Sequence, residues 1–169
     1  GRAGALLPFE IGHTVADTTG TLDCRCGNYG CLEAVVTPHG MAKQLKLDKE
    51  AGPSARAMTN LFFQKLEAGD TQALKVFNRG AEALGYAIAN IMSLGSPDTI
   101  YINAPNEFHS NHHFTSEVEK IAREHAFPGA KKQTTIVFEP TTSHDEDATV
   151  AVAQVIEHTV EKFEHASTT

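Results

Sequence analysis

The chain has 169 residues, of which 41% are hydrophobic and 21% are charged, an ordinary composition for a globular protein with its own core. Its formal net charge is -7, which makes the surface a poor match for the phosphate backbone of DNA. The sequence contains neither an apolar run of about 18 residues, as a membrane span requires, nor a targeting segment. We therefore expect a single cytoplasmic domain over 1–169 that does not itself contact DNA or a membrane.

A cluster of candidate metal ligands lies near the start of the chain. All three cysteines, Cys24, Cys26 and Cys31, are close together, and His13 precedes them in the pattern H-x10-C-x-C-x4-C. Three thiolates and one imidazole form a donor set that suits tetrahedral zinc, and nearby glycines allow the backbone to fold back on itself. Because the segment has little apolar content of its own, we predict a structural zinc that orders it.

Two other interpretations of the cysteines remain. Buried free thiols are common in protein cores, although this does not explain why all three lie among glycines and polar residues. Disulfides are disfavoured by the odd number of cysteines, 3, and by the lack of a secretion signal in the sequence. We favour zinc, and His13 is the ligand that the pattern supports least because a single histidine can match by coincidence.

The segment after the cysteines is predicted to be helical. A short helical turn covers 32–36, and Thr37 then caps a helix over 38–47 that has proline at its first position. The stretch 48–53 is predicted to be a linker, after which Ser54 caps another helix.

The longest predicted helix covers 70–94 and contains Gly80 and Gly85. Each glycine costs about 1 kcal/mol relative to alanine in a helix. We therefore expect another backbone to approach this helix closely, either in the core or at a dimer interface.

The last part of the chain alternates strands and helices. The predicted elements are a strand over 99–102, a helix over 115–126, a strand over 134–138, and a final helix over 143–160 that Ser143 and Glu146 open as a capping box. This alternation predicts an α/β layered domain. Its parts are a segment with the candidate zinc ligands over 10–33, a helical region over 34–95 and an α/β region over 96–165.

Two further polar clusters are interpreted without a metal. His109, His112 and His113 fall in a predicted loop with poor ligand spacing, so a solvated loop is the better interpretation. The acidic run after Ser143 complements the dipole at the start of the final helix.

The residues from Glu10 to Glu33 resemble the zinc signature of the ROK family, which comprises repressors, open reading frames and sugar kinases. The family pattern is E-x-G-H, about ten residues, and then C-x-C-G-x-x-G-C-x-E, and this sequence matches every position. The resemblance implies a structural zinc on four side chains: His13, Cys24, Cys26 and Cys31.

The same resemblance implies that Glu10, His13 and Glu33 face a sugar. A metal on one imidazole nitrogen makes the other nitrogen a donor, so the zinc would aim the sugar-binding side chains without doing chemistry. The implied fold is the large C-terminal lobe of the actin-like ATPase (ribonuclease H-like) fold. The family signature lies near the middle of a longer protein, so we expect this chain to be the C-terminal part of one.

Two branches of the family are compatible with these residues. ROK sugar kinases have a glycine pair after a strand where the backbone passes close to the nucleotide, whereas this sequence has Asn103, Ala104 and Pro105. Side chains there crowd a nucleotide, and ROK repressors show a similar version. We favour a non-enzymatic, homo-oligomeric repressor that senses a sugar or sugar phosphate and reaches DNA only through an N-terminal domain. The alternative is the C-terminal half of an ATP-dependent, glucokinase-like hexose kinase.

Overall fold

The computed structural model describes residues 11–129 and 134–140 and the backbone of 151–155. The described chain begins with a 3-10 turn, Ile11–His13, and its further elements are α1 (Leu32–Val36), α2 (Pro38–Gln44), α3 (Asp48–Ala51), α4 (Ala55–Glu67), α5 (Thr71–Gly95), β1 (Thr99–Ala104), α6 (Asn106–His109), α7 (His112–His125), β2 (Thr135–Pro140) and β3 (Ala151–Val155). The chain divides into two compact units at the boundary between Ala83 and Leu84, inside α5. Among the described residues, no helix has both the length and the apolar character needed to cross a bilayer.

The predicted helix starts in the first unit are confirmed by their caps. The Thr37 hydroxyl accepts a hydrogen bond from the Gly40 N–H at 3.0 Å, and Ser54 caps α4. Asp70 caps α5 by accepting from two backbone N–H groups. The helix predicted over 38–47 ends at Gln44, because Lys46 adopts a left-handed φ of 55° that a continuing helix cannot accommodate. The predicted linker contains the single helical turn of α3.

The two glycines of α5 allow close packing, as their cost predicted. A Cβ atom on Gly80 would lie 2.1 Å from the Met41 side chain, and one on Gly85 would lie 2.7 Å from the Ile121 Cβ. Both distances are far below van der Waals contact, so neither position tolerates a side chain unless its neighbour moves. The close approach occurs inside the chain, in the first unit at Gly80 and in the second unit at Gly85.

The second unit contains a three-stranded mixed sheet with the order β2-β1-β3. β1 pairs with β2 in parallel, from Thr99↔Thr135 to Ala104↔Pro140, and with β3 in antiparallel orientation. Alternate residues of β1 are buried, which is the burial pattern expected of a strand with one face on the core. The predicted mixed α/β architecture is therefore observed in this unit.

The predicted final helix is wrong at 151–155, where the backbone forms β3. Valines at 152 and 155 favour a pleated strand, and β1 offers an edge with unpaired hydrogen-bonding groups that β3 fills. Spaced apolar residues over so short a segment do not distinguish a helix from a strand. The capping box at Ser143 and Glu146 lies outside the described residues.

The histidine-rich segment is also not a loop. His109 ends α6, and His112 and His113 form the first turn of α7. α7 begins three residues before the predicted 115 because the Asn111 side chain accepts a hydrogen bond from the Phe114 N–H at 3.0 Å. This is an ordinary N-cap, which the sequence reasoning overlooked.

Candidate metal centre

The structure brings the four predicted metal ligands together in the first unit. One donor atom from each of His13, Cys24, Cys26 and Cys31 lies within 4.8 Å of all the others. The Cys26 and Cys31 sulfurs are 3.7 Å apart, and the Cys24 sulfur is 3.6 Å from the His13 Nδ1. Among the residues that the structure describes, no other group of three or more His, Cys, Asp or Glu side chains meets in this way.

Two of these separations agree with the edges of a tetrahedral zinc site. With Zn–S bonds of about 2.3 Å and Zn–N bonds of about 2.0 Å, the edges of the tetrahedron are about 3.8 Å between two sulfurs and about 3.5 Å between sulfur and nitrogen. The observed 3.7 Å and 3.6 Å agree with these two edges to about 0.1 Å, and the other four pairs of donor atoms lie within 4.8 Å. A disulfide needs sulfurs about 2.05 Å apart, and all three cysteines are free. The donor set therefore fits a metal and excludes a disulfide among these cysteines in this structure.

Two short backbone pairings bring the ligands together. Residues Val15 and Cys31 form one antiparallel bridge, and Asp23 and Tyr29 form another. The first bridge places the chain just after His13 beside the last cysteine. The second folds the C-x-C segment back on itself. The metal ligands therefore come from a compact double-bridged loop, over 13–31, which we call the metal loop.

Two glycines are required by the backbone path of the metal loop. Gly27 has a φ of 90° and its N–H donates to the Cys24 carbonyl at 3.0 Å, which closes a tight turn around Cys26. Gly30 has a φ of 71°, and a Cβ there would lie 1.9 Å from the Asp17 carbonyl oxygen. The glycines of the C-G-x-x-G-C motif therefore supply a left-handed turn and a close backbone approach.

The thiols differ in their electrostatic surroundings. Cys31 is buried, and burial is the main cause that raises the pKa of its thiol to about 12. Cys26 is exposed, and a hydrogen bond from the Asn28 backbone is the main cause that lowers the pKa of its thiol. Metal binding requires thiolates, so these cysteines would release protons when a cation binds.

Glu33 stands beside the metal ligands in the first turn of α1. Its Oε1 accepts from the Arg25 Nε at 2.7 Å, and its Oε2 is 3.8 Å from the His13 Nδ1. The second distance is too long for a hydrogen bond, so the firm partner of Glu33 is Arg25. Because the His13 Nδ1 faces Cys24, the Nε2 is the nitrogen left to donate to a ligand. Glu10, the other predicted sugar residue, lies outside the described residues.

Sequence reasoning missed three charged residues around this centre. Arg25 lies between two ligands in the C-R-C segment, so its position could have drawn attention. Asp17 and Arg79 form an ion pair across 62 positions of sequence. No local pattern indicates such a pair.

Comparisons with known proteins identify relatives of two kinds. The family model described as the ROK family matches residues 1–158. An N-acetylmannosamine kinase from Escherichia fergusonii is 38% identical over 85 residues, which are 50% of this chain and 27% of the kinase. The corresponding kinase from an Escherichia coli strain is 37% identical over the same length.

A solved structure resembles the fold. It is the crystal structure of a ROK family transcriptional regulator, described as a homologue of the E. coli MLC protein, with a TM-score of 0.55 and 28% sequence identity. The match covers 76% of this chain and 33% of that regulator. The matched part of this chain therefore covers about a third or less of each of these relatives.

Proposed function

Because this chain belongs to the ROK family, we propose that it is the sugar-sensing effector-binding and oligomerisation domain of a cytoplasmic ROK-type transcriptional repressor. We further propose that its fold is the large C-terminal lobe of the actin-like ATPase fold, with a zinc-bound loop near the start. The mixed sheet and the similarity to a ROK family transcriptional regulator support both proposals.

The proposed sugar site combines Glu10, His13 and Glu33. Carboxylates accept hydrogen bonds from sugar hydroxyls, and the His13 Nε2–H would donate one. Arg25 engages one oxygen of Glu33, which orients the carboxylate and leaves its other oxygen to accept. The Glu33 side chain is 14% exposed, so a bound hydroxyl would meet it in a largely desolvated setting, where hydrogen bonds discriminate well.

The proposed zinc would have a structural role. Four protein donors, His13, Cys24, Cys26 and Cys31, fill a tetrahedral shell, and a filled shell leaves no position for a reacting water. A bound ion would hold the His13 ring in one tautomer and one orientation. The residues of this chain would then bind and orient the sugar, with no bond made or broken.

The observation that favours a repressor is the end of β1. Asn103 and Ala104 occupy the last two strand positions, and Pro105 then caps α6. The resemblance places a glycine pair here in the kinases. Side chains at 103 and 104 restrict how closely a phosphate can approach the backbone, and Pro105 has no N–H to offer it.

The alternative function is an ATP-dependent, glucokinase-like sugar kinase. It is favoured by the 38% identity to an N-acetylmannosamine kinase, which extends over half of this chain. The two functions share the proposed sugar site and differ in whether ATP binds. Under the repressor proposal, sugar binding shifts the population of two arrangements of a homo-oligomer, and this changes the affinity of an N-terminal domain for DNA.

Titration of the complete protein with ATP and with a panel of hexoses and hexose phosphates distinguishes the two functions. The repressor proposal expects a sugar to bind with a dissociation constant that ATP does not change, and expects no release of ADP. Glu33→Gln should weaken sugar binding, whereas Glu67→Gln, an exposed position at the end of α4, should not. Sugar-dependent ADP release would replace the repressor proposal with the kinase.

A further inference from the structure

Asp17 lies deep in the metal loop but is not one of the metal ligands. Its side chain is 2% exposed and is paired with Arg79 of α5, whose side chain is 43% exposed. The Thr19 hydroxyl donates to the other carboxylate oxygen of Asp17 at 2.6 Å. A buried carboxylate needs such partners, because desolvation of an unpaired charge is strongly unfavourable.

Arg79 is connected to both sides of the ligand Cys31. On one side, the Asp17 N–H donates to the carbonyl of Gly30, the residue before Cys31, at 3.0 Å. On the other side, Arg79 donates to the Gln44 side chain at 3.4 Å. Gln44 in turn donates to two carbonyls of α1, the helix that begins directly after Cys31.

We infer that Asp17 and Arg79 are positioning residues for the metal loop, and that they slow the loss of zinc by fixing the backbone around Cys31. The inference rests on the proposed zinc centre. The hydrogen bonds and the ion pair of the two side chains go to each other, to Thr19 and to Gln44, so both residues would act through the backbone of the metal loop. Groups that hold metal ligands in place commonly change metal affinity by about 10- to 100-fold when they are removed.

The burial of the two partners predicts unequal effects of losing each one. Arg79→Gln leaves a buried carboxylate without its cation, and the metal loop must open to hydrate it. Asp17→Asn leaves an unpaired arginine, but its side chain is already half exposed, so water can hydrate the guanidinium group. The double variant contains neither charge. Arg79→Gln should therefore be the most damaging change, and adding Asp17→Asn should partly reverse it.

The test measures the rate of zinc release to a chromogenic chelator from the complete, zinc-loaded protein. We expect release to be about tenfold faster or more in Arg79→Gln, less accelerated in Asp17→Asn, and slower in the double variant than in Arg79→Gln. Arg79→Lys keeps the cation and should fall close to wild type. Circular dichroism at the assay temperature establishes that each variant is folded.

Two control variants separate this effect from general destabilisation. Arg123 pairs with Glu119 on α7 at 2.7 Å with both side chains well exposed, so Arg123→Gln removes a comparable arginine without orphaning a buried charge. Val118→Ala creates a cavity in the second unit, where Val118 is fully buried. Both controls should release zinc within about twofold of wild type, although Val118→Ala lowers the melting temperature.

The outcomes separate a failure of this inference from a failure of the proposed zinc centre. A wild-type protein without stoichiometric zinc would overturn both. Zinc bound normally, with release from Arg79→Gln unchanged or matched by Val118→Ala, would overturn the inference alone. If Arg79→Gln fails to fold but the double variant folds and retains zinc, the inference is supported, because removing the buried carboxylate has again reversed the damage. If the double variant releases zinc faster than Arg79→Gln, the inference is refuted.

Discussion

Gly30 and Gly20 provide a matched pair for testing why the metal loop needs a glycine before its last cysteine. Their φ angles are 71° and 70°, so alanine pays nearly the same conformational cost at both positions, about 1–2 kcal/mol. Their surroundings differ. A Cβ on Gly20 has no atom within 4 Å, whereas a Cβ on Gly30 would lie 1.9 Å from the Asp17 carbonyl oxygen.

The clash at Gly30 adds a second cost. The backbone around Asp17 must move by about 1 Å or more to reach an acceptable contact. That backbone is held by two hydrogen bonds to the Gly30 carbonyl, from the Ala16 and Asp17 N–H groups at 2.8 and 3.0 Å. Losing both costs about 2 kcal/mol. Gly30→Ala should therefore lower the free energy of unfolding by about 3–4 kcal/mol, against about 1–2 kcal/mol for Gly20→Ala.

Urea denaturation of both variants, together with metal analysis of the purified proteins, measures this difference. We expect Gly30→Ala to lose stability and bound zinc together, because the two hydrogen bonds that would be lost hold the Gly30 carbonyl, directly before the ligand Cys31. Gly20→Ala should keep its zinc. Equal losses of stability in the two variants would refute the reasoning, since only the backbone contact distinguishes them.

Three further predictions concern single side chains. Cys31→Ser should abolish zinc binding. Val15→Ala, which changes an exposed side chain in the same loop, should not. Stoichiometric zinc in the Cys31→Ser variant would contradict the ligand set. Arg25→Ala should weaken sugar binding by up to about fivefold, the range for an exposed ion pair, and an unchanged affinity would remove its proposed role in orienting Glu33. Asp70→Ala should lower the melting temperature at neutral pH, because backbone N–H donors lower the pKa of the Asp70 carboxyl from its ordinary 3.8. A lowered folded-state pKa means that this stability is present above the ordinary pKa and is lost as pH falls through the lowered value. The melting-temperature difference between wild type and Asp70→Ala should therefore shrink in acid. Asp70→Asn keeps an uncharged cap, so its melting temperature at neutral pH should lie above that of Asp70→Ala. A difference for Asp70→Ala that does not shrink at low pH would contradict the assignment.

The parts of the fold that sequence reasoning predicted depend on interactions between near neighbours. Thr37 and Ser54 cap their helices by accepting from an N–H three residues ahead. The metal ligands are likewise confined to one segment, so their residue types and spacing are visible as a motif. Their convergence to within 4.8 Å follows from turns whose glycines are also in that motif.

The strand at 151–155 depends on a partner that is distant in sequence. β3 pairs with β1, about fifty positions away, and its sequence also has spaced apolar residues that suit a helix. The decision between the two structures is made by the unpaired edge of β1 rather than by the segment itself. The local sequence pattern of 151–155 contains no information about that edge.

Arg79 and Gly80, which are adjacent in α5, also show what local sequence patterns can and cannot predict. The cost of a glycine in a helix predicts that something approaches Gly80. The structure supplies Met41 and the Val35 carbonyl, whose oxygen lies 3.5 Å from the point that a Cβ on Gly80 would occupy. The missing side chain lets α5 lie close to α1, and at that distance Arg79 can reach the carboxylate of Asp17. The glycine is conspicuous in the sequence because it is costly. The arginine is not conspicuous, because its role depends on the short distance between α5 and α1, which the glycine allows.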